Sequence, residues 1–344
     1  MEEFNQIAKI AQKCCQSCPV LVVGSGLSVP FGLPTMRELA TYLIDNLVAE
    51  TAEEEESWLL IRTALANGDH LEQALLNSPL TASLVPKVVG HTWDYVASAD
   101  ANVFKAALDR TFESPLSKLL SHFFNSSLSK VDVVTTNYDR IVEYSCDVIG
   151  LHYATAFQSG YVTAFDSRDQ RVLTHRGKPV QSVKLWKVHG SLDWFMRDDG
   201  LPVRAPIFDT PPAGLQPLIV TPGVSKFERL SDEPFRSNLQ GMDKALSDAA
   251  AYLCFGFGFR DRQIEPKMVE CLARKNVPIV LATRTLTDEA KSFLQTKAKS
   301  NFLTLEKSGE KTLARTPERW DGIELEGDYW SVGGFIRLVA AEEA

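Results

Sequence analysis

Several short apolar runs, each ending on a glycine, an amide or an imidazole, constrain the fold of this chain more than any other feature. Pro19-Val-Leu-Val-Val23 runs into Gly24-Ser25-Gly26-Leu27-Ser28, and Val131 to Thr136 runs into Asn137-Tyr138-Asp139. Leu185 to Val188 ends at His189-Gly190-Ser191, and Tyr252 to Phe255 ends at Gly256-Phe257-Gly258. A strand with one wet face alternates apolar with polar residues. A strand without alternation is buried on both faces, as inside a parallel sheet covered by helices. Leu218-Ile-Val220 and Val277 to Ala282 read as further buried strands, with helices after the runs at 252 and 277. Strands that alternate with helices predict an α/β fold, a doubly wound parallel sheet. Such sheets bind ligands at the carboxyl ends of their strands, where all four motifs fall.

The helical parts carry their own signals. Thr35-Met-Arg-Glu38 has the spacing of a capping box, which predicts a helix from after Pro34 to about Val48. From about Glu50 to Phe124 the pattern is helical throughout. It breaks at Asn67-Gly68-Asp69 and restarts at Ser114-Pro115, with proline at the first helical position. The acidic run Glu53 to Glu56 reads as a solvated first turn, favoured there by the helix dipole. Residues 50–124 therefore read as a helical insertion, and residues 1–49 plus 125–344 as the core. Within that core, residues 151–216 read as a loop-rich second insertion. Pro202, Pro206, Pro211, Pro212 and Pro217 punctuate it and its surroundings, and Arg176-Gly177-Lys178-Pro179 forms a hairpin turn. Trp330 to Ala341 reads as a closing helix.

Composition excludes some classes. A formal charge of −8 argues against a large nucleic-acid-binding surface, so no direct nucleic-acid partner is expected. The start Met-Glu-Glu-Phe-Asn has neither a basic nor an apolar leader segment. The longest apolar runs are strand-sized, so a cytoplasmic protein without membrane contact is expected. Cys15-x-x-Cys18 has the spacing of half a zinc site, but Cys146, Cys254 and Cys271 are isolated. Cys14 and Cys15 share helical spacing with Phe4, Ile7, Ala8 and Ala11, so buried reduced thiols and no metal are expected.

Each motif carries chemistry. Gly24 and Gly26 let the backbone turn sharply and approach a pyrophosphate. A hydride-transfer dehydrogenase would place a third glycine at position 29, which is Val29. It would also want an acidic residue about 20 positions on, at the end of a second strand. Asp45 is that far along but lies in the helix. Asn137 and Asp139, two apart at a strand end, can both face a crevice; either can also cap the following helix. His189 ends an apolar strand, and Gly190-Ser191 after it leave room for a ligand. Imidazole ordinarily titrates near pH ~6.5 and suits a general base. Gly256 and Gly258 can admit phosphate or ribose, or can simply end a strand before a helix capped by Asp261. Together these residues predict a nucleotide site containing a base.

Taken in order, the motifs resemble the sirtuin superfamily, with its Gly-Ala-Gly-x-Ser loop, Thr-Gln-Asn-x-Asp strand end, His-Gly and later Gly-Thr-Ser. The matching residues are Gly24-Ser25-Gly26-Leu27-Ser28 with Gly32-Leu33-Pro34, Thr135-Thr136-Asn137-Tyr138-Asp139, His189-Gly190 and Gly256-Phe257-Gly258. The resemblance implies a Rossmann-like, sirtuin-type sheet with NAD as its substrate. By it, Asn137 and His189 are catalytic, His189 acting as the base. Gly24, Ser25, Gly26, Ser28, Pro34, Thr136, Asp139, Gly256, Gly258 and Thr283, the last beside Arg284, would bind the dinucleotide. Residues 191–253 contain no cysteine, so the four-cysteine zinc module of protein-deacylating sirtuins is missing. The helical insertion and the Thr-Thr-Asn-Tyr-Asp spelling are more similar to the sirtuin-like domains of prokaryotic antiphage defence, which consume NAD. That resemblance implies an NAD glycohydrolase, a homo-oligomer, and assembly with a HerA-type ATPase, for which residues 50–124 offer surface. A nucleotide-sensing, non-catalytic subunit and an NAD-dependent protein deacylase are the alternatives.

Overall fold

A computed structural model describes residues 2–340 apart from 79, 126–127, 158–159, 167–173, 207–209 and 222–230. Its centre is a nine-stranded sheet. The strands are β1 (Val20–Val23), β2 (Lys130–Thr135), β3 (His152–Ala154), β7 (Ser182–Lys187), β11 (Tyr252–Phe255), β12 (Ile279–Thr283), β13 (Phe302–Ser308), β14 (Lys311–Thr316) and β15 (Arg319–Leu325). Their order is β15-β14-β13-β12-β11-β1-β2-β7-β3. From β13 to β3 every pairing is parallel, and only β14 and β15 run antiparallel at one edge. The chain moves from β1 outward through β2 and later returns on the other side at β11. The β1/β11 boundary is therefore the switch point of the sheet, where an open α/β sheet forms its crevice.

The unbroken apolar runs have the cause expected of them. Side chains of successive residues in β1 enter different cores. Leu21 and Val23 pack with Ile7, Cys14 and Phe335 on one face; Val20 and Val22 pack with Met242, Met268 and Phe293 on the other. Burial of each such side chain stabilises by about 1.5–3 kcal/mol, which leaves no position for a polar residue. The first face is covered by helices Glu2–Gln16, Pro115–Phe124 and Val332–Val339, the second by Phe235–Asp248, Ile264–Arg274 and Asp288–Phe293. Cys14 and Cys15 lie on the buried face of the first helix as expected, and Cys18 is exposed; no disulfide joins the six thiols.

The segment between β1 and β2 is helical as its pattern predicts, with helices Ala52–Ala66, Leu71–Asn77, Leu84–Leu108 and Pro115–Phe124. A smaller core forms among Leu43, Trp58, Ile61, Leu75 and Val88. The long helix Leu84–Leu108 joins it to the sheet, since its later residues Trp93, Val96 and Val103 belong to the main core. One expectation fails here. Glu54, read as part of a solvated turn, is buried. It accepts from the Glu50 backbone at 2.7 Å and from Lys87 Nζ at 2.9 Å, and these contacts hold its carboxyl down to about 2.

Two sheet regions have no counterpart in the sequence pattern. One is the pair of edge strands β14 and β15. The other is a second, antiparallel sheet in which β4 (Thr163–Ala164) joins β8 (Gly190–Arg197), β9 (Pro202–Arg204) and β10 (Leu215–Ile219), which follow His189. The run at Leu218 is thus buried, but it pairs antiparallel with β8 rather than joining the main sheet. The hairpin turn at Arg176-Gly177 is present, between β5 (Thr174–His175) and β6 (Lys178–Pro179). The closing helix ends at Val339; Ala341 lies outside the described residues. None of the described helices is long and apolar enough to cross a membrane.

Candidate active site

Sheet register brings the motifs together. Lys187 pairs with Thr135, Thr135 with Val23, Val23 with Phe255 and Phe255 with Ala282, so these five residues form one row across the sheet. Gly24, Gly256 and Thr283 stand one residue beyond that row, Asn137 and His189 two beyond it. Motifs spread over 260 residues of chain thus share one edge because their strands are parallel and in step.

The loop after β1 does what its prolines demand. It passes through short turns at Ser25–Leu27 and Val29–Phe31, and the helix Met36–Asn46 begins only after the Thr35 cap. The reciprocal box is complete, with Thr35 N donating to Glu38 at 2.7 Å and Glu38 N to Thr35 Oγ1 at 3.2 Å. Pro34 therefore marks the far end of the loop. Ser25 and Gly26 are exposed at its crest, while Ser28 is buried.

The glycines meet each other. A Cβ on Gly24 would lie 2.4 Å from Gly256 O, and one on Gly26 would lie 2.7 Å from Gly256 Cα. Gly256 has φ +56, and a Cβ there would strike Gly26 at 2.5 Å. The two loops at the switch point can approach only because neither carries side chains there. Gly258 is tied through its carbonyl to Thr287, whose hydroxyl donates at 2.6 Å. Thr283 stands at the end of β12 with its hydroxyl on Thr285 O, away from these contacts.

Asn137 is buried and donates from Nδ2 to Gly24 O and to Ser28 Oγ, both at 3.0 Å. The remaining polar atom of its amide is the acceptor Oδ1. The Ser28 hydroxyl is hydrogen-bonded in turn to Asp139. Asp139 Oδ1 accepts at 3.2 Å from the N–H of Ile141, the first residue of the helix Ile141–Asp147, whose cap position is Arg140. Burial pushes the Asp139 carboxyl up, opposed by Lys187 and by Ser28. Thr136, half-buried, precedes the pair.

Beneath them lies a set of buried charges that the sequence reading passed over. Lys187 is fully buried; its Nζ donates to the Asp139 carbonyl and, at 2.9 Å, to Glu143. Arg140 meets Asp100 at 2.8 Å, and Arg204 meets Asp193 at 2.6 Å. A lysine inside the short run Leu185 to Val188 was the available signal, since a buried ammonium requires an acidic partner.

His189 follows β7 and is buried, with Nε2 at 2.9 Å from Asp261 Oδ2, though out of line for a hydrogen bond. Asp261 is the helix cap expected of it: Oδ1 accepts from Gln263 N at 2.9 Å and Ile264 N at 3.1 Å. Its second oxygen, facing the imidazole, is what the sequence reading missed. The reading of Gly190-Ser191 as room for a ligand is corrected. Gly190 begins β8 at φ +85, where a Cβ would lie 2.0 Å from Leu218 O, and Ser191 is fully buried. The glycine admits strand β10, not a ligand. Among the described residues no group of three or more His, Cys, Asp or Glu is placed to hold a metal ion.

Strand ends that set an amide, a carboxylate and an imidazole beside glycine loops can bind a polar ligand and accept a proton from it. Several solved structures resemble the chain at low identity. The chain is similar to a Sir2 homologue crystallised with NAD, at 15% identity over 86% of this chain and 87% of that one, TM-score 0.42. It is also similar to a mutant Sir2 homologue in complex with ADP-ribose (15%, covering 84% and 91%, TM-score 0.43) and to a Sir2 protein bound to a propionylated peptide (13%, covering 88% and 92%, TM-score 0.41). No curated protein matches the chain. The model of the SIR2-like domain matches residues 131–309, just over half of the sequence and three of the four motifs, and the chain belongs to the SIR2-like domain family.

Proposed function

We propose that this chain hydrolyses NAD to nicotinamide and ADP-ribose. The observation that supports the reading best is the single row of strand ends that sets Asn137 and His189 beside the paired glycine loops at the switch point of the sheet. The residues fit the substrate. The backbones at Gly24, Gly26 and Gly256 carry no side chains, as suits a rim facing a pyrophosphate. Asn137, its amide hydrogens engaged, offers Oδ1 to a ribose hydroxyl or to water.

In the reaction, the bond from the nicotinamide nitrogen to the anomeric carbon breaks and its electron pair discharges the pyridinium ring. The leaving group is neutral and needs no general acid. The anomeric carbon passes through oxocarbenium character, as in glycoside hydrolysis. Water forms the new bond and gives its proton to His189, which passes it to solvent. The absence of cysteine from residues 191–253 weighs against protein deacylation, and an antiparallel sheet lies in that part of the chain instead.

By the same reading the activity serves antiphage defence by depleting NAD, in a homo-oligomer assembled with a HerA-type ATPase that gates it. The helical lobe between β1 and β2 is the surface proposed for assembly. Nicotinamide release from NAD by the pure chain, alone and with such an ATPase, tests this. Release in either state supports the glycohydrolase. NAD binding without release in both would favour a nucleotide sensor, and release only with an acylated peptide a deacylase.

A further inference from the structure

We infer that Asp261 is the positioning partner of His189: one carboxylate oxygen fixes the loop, and the other supplies the negative charge that the imidazole needs when it takes a proton. The inference rests on the reading of His189 as a base and extends it to a residue outside the motifs that suggested that reading.

Three observations support it. First, both groups are buried and 2.9 Å apart. A buried carboxylate beside an imidazole favours the imidazolium, and this needs proximity rather than an in-line hydrogen bond. Second, the two oxygens of Asp261 divide their work. Oδ1 holds the backbone amides of Gln263 and Ile264 at the start of the helix Ile264–Arg274, which fixes where Oδ2 stands. Third, the segment leading to Asp261 adopts uncommon backbone geometry. Gly256 has φ +56, and so does Phe259, a bulky residue in the left-handed region that normally suits glycine. Phe259 is held there between Phe257, with ring centroids 4.9 Å apart, and Phe293 at 4.4 Å. Such strain persists where the surroundings over-determine it, often at functional sites. Here it turns the chain so that the acid two residues later meets the imidazole.

Among the described residues, several ionisable groups on the elements packed around His189 are engaged elsewhere, while Arg262, next to Asp261, is exposed. Tyr138, after β2, gives its hydroxyl to Val220 O at 2.7 Å. Lys187, on the same strand as His189, serves Asp139 and Glu143, and Asp139 serves Ser28 and the helix start. Arg260, next to Asp261, turns outward to Glu289 at 3.1 Å.

The test is Asp261→Asn in the full chain. Asparagine keeps the cap, because its Oδ1 still accepts the two amides, and it puts a neutral amide NH2 where the charged oxygen faced the imidazole. Without NAD, the ring titration of His189 followed by NMR should move to lower pH in the variant. With NAD, the acidic limb of kcat/KM should move by the same amount, with kcat down at least about tenfold and KM within about twofold. A folded variant whose His189 titration does not move overturns the pairing. If the variant does not fold, His189→Asn gives the reciprocal reading: the Asp261 carboxyl titration should rise once the imidazolium is gone, and an unchanged midpoint overturns the proposal. Both titrations are free of substrate, so a wild type that never releases nicotinamide would sink the glycohydrolase reading and leave this pairing standing or falling by itself.

Discussion

Asn137 reaches across 113 residues of chain to donate its side-chain amide to the Gly24 carbonyl at 3.0 Å, joining the loop after β2 to the glycine loop after β1. Through Ser28 the same amide is linked to Asp139. The amide, the hydroxyl and the carboxylate form one connected unit, so the shape of the crevice and the placement of its polar groups depend on the same contacts.

Asn137→Ala should therefore affect both stability and activity. Losing two buried hydrogen bonds is expected to destabilise by about 1–3 kcal/mol, measurable by urea unfolding. NAD turnover should fall about 100-fold or more as the loop shifts. Asn137→Asp matches the shape but has no donor for Gly24 O when ionised, and should be no better than alanine at neutral pH. Turnover by Asn137→Asp at the wild-type rate would show that the amide's donors are unimportant.

Gly190→Ala tests the correction made for that position. With φ +85 and a Cβ 2.0 Å from Leu218 O, the substitution must separate β8 from β10. A loss of about 3 kcal/mol or more is expected in thermal or urea unfolding. A variant of wild-type stability, impaired only in NAD binding, would restore the reading of Gly190 as space for a ligand.

Lys187→Met leaves Glu143 buried beside no cation and takes a donor from the Asp139 carbonyl. Removing one member of a buried pair destabilises by about 3–5 kcal/mol. Adding Glu143→Leu removes the orphaned charge and should recover much of that stability. Activity should stay low in the double variant, because the Asp139 carbonyl still lacks its donor. Full recovery of turnover along with stability would show that the lysine acts on stability alone.

The pH dependence of stability has a definite sign at Glu143. Burial raises its carboxyl above the ordinary 4.5, with Lys187 opposing. A raised carboxyl stabilises the fold fully below the unfolded value, and that contribution is lost as pH rises through the folded value. Glu143→Gln should flatten the decline in unfolding free energy above about pH 4.3, measured by urea titration across pH 4 to 8. An equally steep decline in the variant would place its source elsewhere.

The sequence was informative wherever one residue's environment followed from its neighbours in the chain. Val20–Val23 shows burial on both faces by lacking polar alternation, and Thr35 with Glu38 is a local box that needs no tertiary information. The four strand-end motifs were visible because glycine, asparagine and histidine are unusual directly after such runs. What stayed hidden depends on partners distant in sequence. β8 is a strand because β9 and β10 pair with it, and the edge hairpin β14–β15 exists because β13 offers a place to add to. Gly24 and Gly26 were read toward a ligand, but the nearest thing to each is Gly256. Asp261 could be read as a cap from its position before a helix, yet the imidazole facing its second oxygen comes from a strand end 72 residues earlier.

His189, at this strand end, is proposed to serve hydrolysis of NAD. The direct measurement is to incubate the pure chain, and its His189→Ala variant, with NAD and no acylated peptide, supplying the ATPase partner if the chain alone is silent. Nicotinamide and ADP-ribose are then quantified together. Equal amounts of the two products are expected from the wild type, and a loss of about 100-fold or more in the variant. Product formation that survives in the variant, or NAD left intact by the wild type in both settings, would contradict this role of His189.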